Sequence, residues 1–243
     1  MTVPSVPEGS VLDRAKTAPF IAIDTLIPGH GVLVISPHPD DETLGCGQAL
    51  SAAAHAGHGV GIVLMTQGEG SHPNSSAYPG EALKKLRVAE FMGALNDLVP
   101  HGGIDVLQLN LPDAGDENSD ISDSVVSMIV DLALRIRASC VWTTWRGDPH
   151  CDHVLASALA AKVSSRLNVP LWSYLVWGRF GQRDVPAGLF RFADDQAARR
   201  KIKAMSHYKS QLTSLIEDDP EGFRMPDQLV AHFASHPELF ARD

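Results

Sequence analysis

From about residue 30 onward, short runs of β-branched and aliphatic residues alternate with longer runs in which apolar positions return every three or four residues. The short runs, 32–36, 60–66, 105–109, 140–144 and 171–177, predict strands. The longer ones, 41–56, 81–96, 122–138 and 152–167, predict helices; in the third, Val125, Met128, Ile129, Leu132 and Ile136 fall on one face. A fifth helix is expected over 195–212, a loop with at most one edge strand over 178–192, and short helical pieces in the last thirty residues. Strands alternating with helices of this length build βαβ units. The expected fold is therefore a Rossmann-like, three-layer α/β/α arrangement around a mostly parallel sheet. Residues 1–30 read as a proline-containing leader and 31–243 as one domain.

Composition narrows the class without naming a function. The chain has 243 residues, 44% of them hydrophobic, enough for one sizeable core. A formal charge of −9 argues against nucleic acid, whose phosphates are held by clustered Lys and Arg. The one basic run, Arg199-Arg200-Lys201-Ile202-Lys203, reads as a solvated helix face. No apolar stretch reaches the roughly 18 residues of a membrane span, and the first residues lack the pattern of a signal peptide. Three cysteines with no paired spacing suit a reducing cytoplasm.

The unusual residues cluster after strands. Ser36-Pro37-His38-Pro39-Asp40-Asp41-Glu42 follows the first, Gln67-Gly68-Glu69-Gly70 the second, Leu111-Pro112-Asp113 the third, and Arg146-Gly147-Asp148-Pro149-His150-Cys151-Asp152-His153 the fourth. In a parallel sheet these carboxyl ends share one edge, where open α/β folds bind ligands. Asp40, Asp41 and Glu42 would cap a helix, but capping does not account for a histidine fixed between two prolines. His150 and His153, three apart at a helix start, share a face, with Cys151 expected to point away. His38, Asp41 and His153 supply two neutral donors and one anion, the ligand set of a catalytic Zn²⁺ with one position open to water. The same set also accepts Fe(II) or Co(II). Asp40 is the candidate general base, and His150, if protonated and held by Asp152, would stabilise an oxyanion. Arg87 and Glu90 form either a surface pair or a substrate contact. Asp113 would meet a sugar hydroxyl or make a turn, and Trp142 and Trp145 are expected in the core.

The paired segments His38-Pro39-Asp40-Asp41-Glu42 and His150-Cys151-Asp152-His153 resemble the PIG-L/LmbE family of zinc-dependent N-deacetylases, with Cys151 where the family has proline. Thr66-Gln67-Gly68-Glu69, Arg87-Val88-Ala89-Glu90 and Tyr208-Lys209-Ser210-Gln211 extend the resemblance over residues 30–212. It implies one zinc per chain on His38, Asp41 and His153, with Asp40 as base and His150 as oxyanion partner supported by Asp152. It also implies substrate contacts at Arg87 and Glu69. The reaction implied is hydrolytic removal of an N-acetyl or other N-acyl group from an amino sugar or sugar conjugate, the partner being a small-molecule or glycoconjugate substrate. Two alternatives remain: the same metal site acting on a non-sugar N-acyl or thiol-conjugate amide, and a metal-free Rossmann-like binding or scaffold protein. Against the second, the loop after the first strand is acidic where a bound pyrophosphate requires free N–H groups.

Overall fold

The computed structural model describes residues 6–99, 103–115, 121–181 and 185–242. Seven strands among these form one sheet: β1 (Gly31–Ser36), β2 (Gly59–Thr66), β3 (Ile104–Leu111), β4 (Ala138–Thr144), β5 (Leu171–Tyr174), β6 (Leu189–Phe192) and β7 (Glu238–Arg242). They lie in the order β3-β2-β1-β4-β5-β7-β6. The first five are parallel, and β7 runs antiparallel to both β5 and β6. β1 is apolar on both faces and buried along its whole length, as a central parallel strand must be. Its Val32 and Val34 enter one core and its Leu33 and Ile35 the other.

Those two cores are the outer interfaces of a three-layer fold. On one face lie α3 (Asp41–His55), α4 (Gly80–Leu98), α7 (Asp195–Met205) and α9 (Asp227–Ser235); on the other lie α5 (Asp123–Arg135) and α6 (Cys151–Leu167). The architecture is the α/β/α sandwich expected from the sequence. Consecutive connections run from β1 toward β2 and β3, then return to β4 on the other side of β1. The switch point therefore falls between β1 and β4, and the segments carrying His38 and His150 leave from the two strands that flank it.

Several elements depart from expectation. The helix expected over 195–212 is broken, α7 ending at Met205 and α8 (Lys209–Leu212) restarting after Tyr208, whose hydroxyl turns into the core to donate to Glu42 Oε1 at 2.6 Å. Lys201, read as part of a solvated basic face, is 1% exposed and pairs with Glu238 Oε1 at 2.8 Å. β7, where only helical pieces were expected, inserts between β5 and β6. The first thirty residues carry α1 (Ser10–Ala15) and α2 (Ile23–Leu26); Val11 and Ala15 pack with Trp145, Leu175 and Leu189. Among the described residues no helix is long and apolar enough to cross a membrane.

Inside α3 the backbone leaves helical geometry at Cys46 (φ −140°, ψ 19°). Just before this break, Gly45 lies so close to the Tyr174 ring that a Cβ would overlap the ring's edge. Neither backbone can retreat without disturbing β5, so Gly45→Ala is expected to destabilise the fold by about 1–3 kcal/mol, the usual cost of overfilling a packed core. A thermal-unfolding midpoint equal to that of the parent chain would contradict this account of the contact.

Candidate functional site

The site begins with how β1 ends. Thr66, the last residue of neighbouring β2, donates its backbone N–H (2.9 Å) and its hydroxyl (3.1 Å) to the Pro37 carbonyl, and Ser36 Oγ donates to the His38 carbonyl at 3.0 Å. With prolines on both sides, the His38 backbone has little freedom left. Asp40 then sits at φ 133°, ψ −30°, a conformation non-glycine residues rarely adopt. Strain of this kind costs on the order of 1–3 kcal/mol and persists only where surrounding contacts over-determine it. Here Glu42 Oε2 accepts from the Asp40 N–H at 3.3 Å and Arg87 Nη2 donates to Asp40 Oδ2 at 3.1 Å.

On the first turn of α3, Asp41 Oδ2 stands 3.0 Å from His38 Nδ1 and 3.1 Å from His153 Nε2. Each imidazole is braced from behind by carboxylates. His38 Nε2 meets Asp152 Oδ2 at 2.9 Å and Asp113 Oδ1 at 3.2 Å, while His153 Nδ1 faces Asp148 Oδ1 at 3.2 Å. Carboxylates on the far nitrogens of two histidines whose near nitrogens converge is the arrangement that orients histidine metal ligands. All these groups but Asp113, which is partly exposed, are buried, His153 completely. Both His153 nitrogens lack a properly directed hydrogen bond despite the carboxylate oxygens close by. An imidazole nitrogen aimed beside a carboxylate, and not along a hydrogen bond to it, fits two donors that share a cation. His38, His150 and His153 together offer ring nitrogens within 4.8 Å of one another. The residues present therefore suit a divalent metal, with His38, Asp41 and His153 the set that could hold it.

Charge compensation gives the same picture. Burial pushes the His153 imidazole down, but Asp41 and Asp148 outweigh it and carry its pKa up to about 10; His38 is likewise raised by Asp113, Asp152 and Asp41 against its burial. Asp41 is held well below the usual carboxylate range despite its burial, chiefly by His153 and His38. The cluster thus demands positive charge, and a metal ion would supply it in place of the two imidazole protons. For Asp40 burial dominates and pushes the carboxyl up to about 8, with Arg87 opposing.

The remaining candidates are placed differently from expectation. Asp152 does not hold His150: its carboxylate serves His38 and the Ala114 N–H (2.9 Å), and lies 3.9 Å from His150 Nδ1. The backbone N–H of Asp152 donates to His150 Nδ1 at 3.2 Å, which leaves the other ring nitrogen, Nε2, to carry the proton. Burial, followed by His38 and His153, lowers the His150 pKa to about 4, which works against the imidazolium expected here. Arg87 and Glu90 are no surface pair. Both are buried, Arg87 spanning Asp40, the Pro39 carbonyl and the Gly68 carbonyl, and Glu90 accepting from Ser210. Glu69 turns toward Lys84 at 3.5 Å, and Gly70 and Ser71 take its place at the cavity wall. Asp113 does reach the cavity, yet its oxygens are engaged by His38 and by the Gly70 N–H at 2.7 Å. Cys151, expected to face away, has Sγ 4.0 Å from His150 Nδ1. Trp142 and Trp145 are buried, as expected.

Asp148 was not singled out from the sequence, although it lies two residues before His150; only the fold shows that its carboxylate reaches past His150 to His153. Also unforeseen is the far wall of the cavity, formed by Trp177, Gln211, Phe223 and Arg224. Asp218 and Asp219, which precede this wall in sequence, accept hydrogen bonds from Ser76 N (2.8 Å), Ala77 N (2.9 Å) and Asn74 N (2.8 Å). Between this wall and the histidines lies a cavity of about 490 Å³, suited to a small molecule.

The family model of PIG-L, GlcNAc-PI de-N-acetylase, matches residues 33–164, which include both histidine segments. No curated protein matches by sequence. Among solved structures, the A40926 pseudoaglycone deacetylase Dbv21 is similar at 23% identity and a TM-score of 0.62, covering 87% of this chain and 96% of its own. The N,N'-diacetylchitobiose deacetylase from Pyrococcus horikoshii aligns at 21% identity and a TM-score of 0.61, over 86% of this chain and 82% of its own. GalB, the 4-carboxy-2-hydroxymuconate hydratase from Pseudomonas putida, aligns at 19% identity and a TM-score of 0.60, over 75% and 80%. These likenesses establish the fold, which accommodates more than one reaction; the family rests on the matched segment, more than half of the chain with both histidine motifs inside it. The chain belongs to the PIG-L family of de-N-acetylases.

Proposed function

We propose that the protein is a zinc-dependent hydrolase that removes an N-acetyl group from an amino sugar or sugar conjugate, with one Zn²⁺ per chain on His38, Asp41 and His153. The observation that carries this reading is the meeting of these three side chains, each imidazole braced by a carboxylate, at the base of a cavity of about 490 Å³ with Asp40 beside them. Zinc suits a donor set of two imidazoles and one carboxylate, and when bound it supplies Lewis acidity and brings the pKa of a coordinated water toward about 7. Asp40 takes a proton from the attacking water and returns it to the departing nitrogen, so that amide and water become amine and acetate. Arg87, donating to Asp40 Oδ2 at 3.1 Å, stabilises the ionised carboxylate that accepts this proton, against the burial that raises it. His150 presents an N–H donor to the carbonyl oxygen as negative charge develops there. Trp177 and Phe223, in edge-to-face contact at 5.7 Å, offer an apolar surface to a sugar ring, and Gln211 and Arg224 offer polar contacts to its substituents. The deacetylase neighbours named above act on the A40926 pseudoaglycone and on N,N'-diacetylchitobiose, which favours a sugar-bearing substrate over a simple amide. Three free cysteines favour a reducing cytoplasm.

Asp40→Asn is expected to keep about one zinc per chain while turnover falls on the order of 10²–10⁴-fold, as for loss of a general base. Amine release and metal content measured on the same sample decide this, and near-parental turnover would remove Asp40 from that role. Asp148→Ala is expected to weaken zinc binding by roughly 10–100-fold in chelator competition, since it frees the back of His153; unchanged affinity would mean His153 is not a ligand. The substrate reading is tested by a panel of N-acetylhexosamines, their glycosides and non-sugar N-acetyl amines. Higher kcat/KM on the sugar compounds is expected, and a preference for non-sugar amides would replace the sugar reading with the amidase one.

A further inference from the structure

Two buried charges outside the cavity remain without a role in the reaction. Lys201 on α7 and Glu238 on β7 are 1% and 0% exposed, and removing both from water costs several kcal/mol per ion unless every polar atom finds a partner. Their partners lie on one helix. Lys201 Nζ donates to the Leu44 carbonyl at 2.7 Å and to Glu238 Oε1 at 2.8 Å. Glu238 accepts the Gln48 N–H at 2.6 Å and the Ala49 N–H at 2.9 Å. In an unbroken α-helix the Gln48 N–H would bond the Leu44 carbonyl, four residues back. The ion pair thus stands in the ladder of α3 where that bond would be, at the break centred on Cys46. The lysine takes the carbonyl side of the gap and the glutamate takes the amide side.

The break divides α3 into one turn, residues 41–45, and the remainder, which packs into the core through Ala49, Leu50 and Ala53. The short turn carries Asp41 and follows directly on Asp40. Besides the Lys201 bond at Leu44, it is held by Tyr208, whose hydroxyl lies 3.1 Å from Thr43 Oγ1 and 2.6 Å from Glu42 Oε1, and by the tight seat of Gly45 on Tyr174. None of these supports comes from the rest of α3 itself.

We propose that Lys201 and Glu238 are positioning residues for the metal end of the site: by bridging the broken ladder of α3 they aim the turn 41–45, and with it the Asp41 carboxylate, separately from the rest of the helix. This rests on the reading of Asp41 as a metal ligand. The charges also explain why a hydrophobic pair does not serve here, because the groups to be satisfied are a carbonyl on one side and two amides on the other.

The experiment compares the parent chain with Lys201→Met and Glu238→Gln, each stripped of metal and titrated with Zn²⁺ against a chelator and with Co²⁺ followed by its visible spectrum. Lys201→Met is expected to fold with parental near-UV circular dichroism, to bind zinc at least about tenfold more weakly, the scale seen when a group supporting a ligand is lost, and to give an altered cobalt spectrum. Glu238→Gln retains one acceptor for the amides and the same size. It is expected to shift both readouts in the same direction by less, and it carries the test if Lys201→Met does not fold. Folded variants with parental zinc affinity and cobalt spectrum would overturn the proposal, since a pair that only stabilised the fold would leave both unchanged. If the parent chain takes up neither metal, the zinc reading falls, and amide hydrogen exchange then decides the positioning role. Faster exchange confined to residues 41–49 in the variants upholds it, and unchanged protection there overturns it.

Discussion

Everything at the base of this cavity depends on one charge arrangement, the Asp41 carboxylate between the imidazoles of His38 and His153. In a buried site an uncompensated carboxylate is held at a cost of several kcal/mol, so each member of the trio requires the others or a cation that takes over their charge. The same requirement spreads outward. His38 is braced by Asp152 and Asp113, His153 by Asp148, and Asp40 by Arg87, so that acidic and basic groups alternate from the cavity floor into the surrounding loops. The sheet makes this possible by bringing β1 and β4 side by side at the point where its connections reverse direction. Two segments more than a hundred residues apart then meet with no long loop between them.

Much of this could be read from the chain. The five parallel strands stand out as short runs of β-branched and aliphatic residues, four of the helices carry clear three-to-four spacing, and four acidic or histidine-bearing segments each follow a strand, which suffices to bring them to one edge. The direction of individual side chains could not be read in the same way. Asp152 lies one residue from His153 and two from His150, and its position in sequence fits a partner for His150; its carboxylate reaches across instead to His38, 114 positions away. Arg87, spaced like a surface partner of Glu90, is drawn inward because Asp40 and two loop carbonyls await its guanidinium. Lys201 sits in a run of basic residues whose neighbours are solvated, and its burial follows only from Glu238, on a strand too short and too isolated to be recognised by pattern. In each case the sequence held the residue and the fold supplied its partner.

Three backbone irregularities fall on the segment joining β1 to the core of α3. Asp40 has an unusual φ, Cys46 leaves the helix, and Gly45 is pressed on an aromatic ring. The cavity floor is thereby built from a piece of chain whose shape is imposed by contacts with β2, α4, α7, Tyr208, β5 and β7, and not by its own helical preference. Such a turn is rigid because many separate elements press on it, which is what a site requires when ångström displacements of a ligand matter.

The insertion of β7 has a consequence for the order in which the molecule can be assembled. β5 and β6 are joined to the sheet on either side of a strand that is synthesised more than forty residues after β6. A chain emerging from the ribosome therefore presents two hydrogen-bonding edges with a gap between them, at positions that include Trp172 and Phe190, and exposed edges of this kind invite wrong pairings. Closing the gap also delivers Glu238 to the Gln48 and Ala49 amides. The helix begun at residue 41 is thus completed by a strand made 190 residues after Gln48, and the nascent chain acquires the full geometry of the site only once β7 has been made.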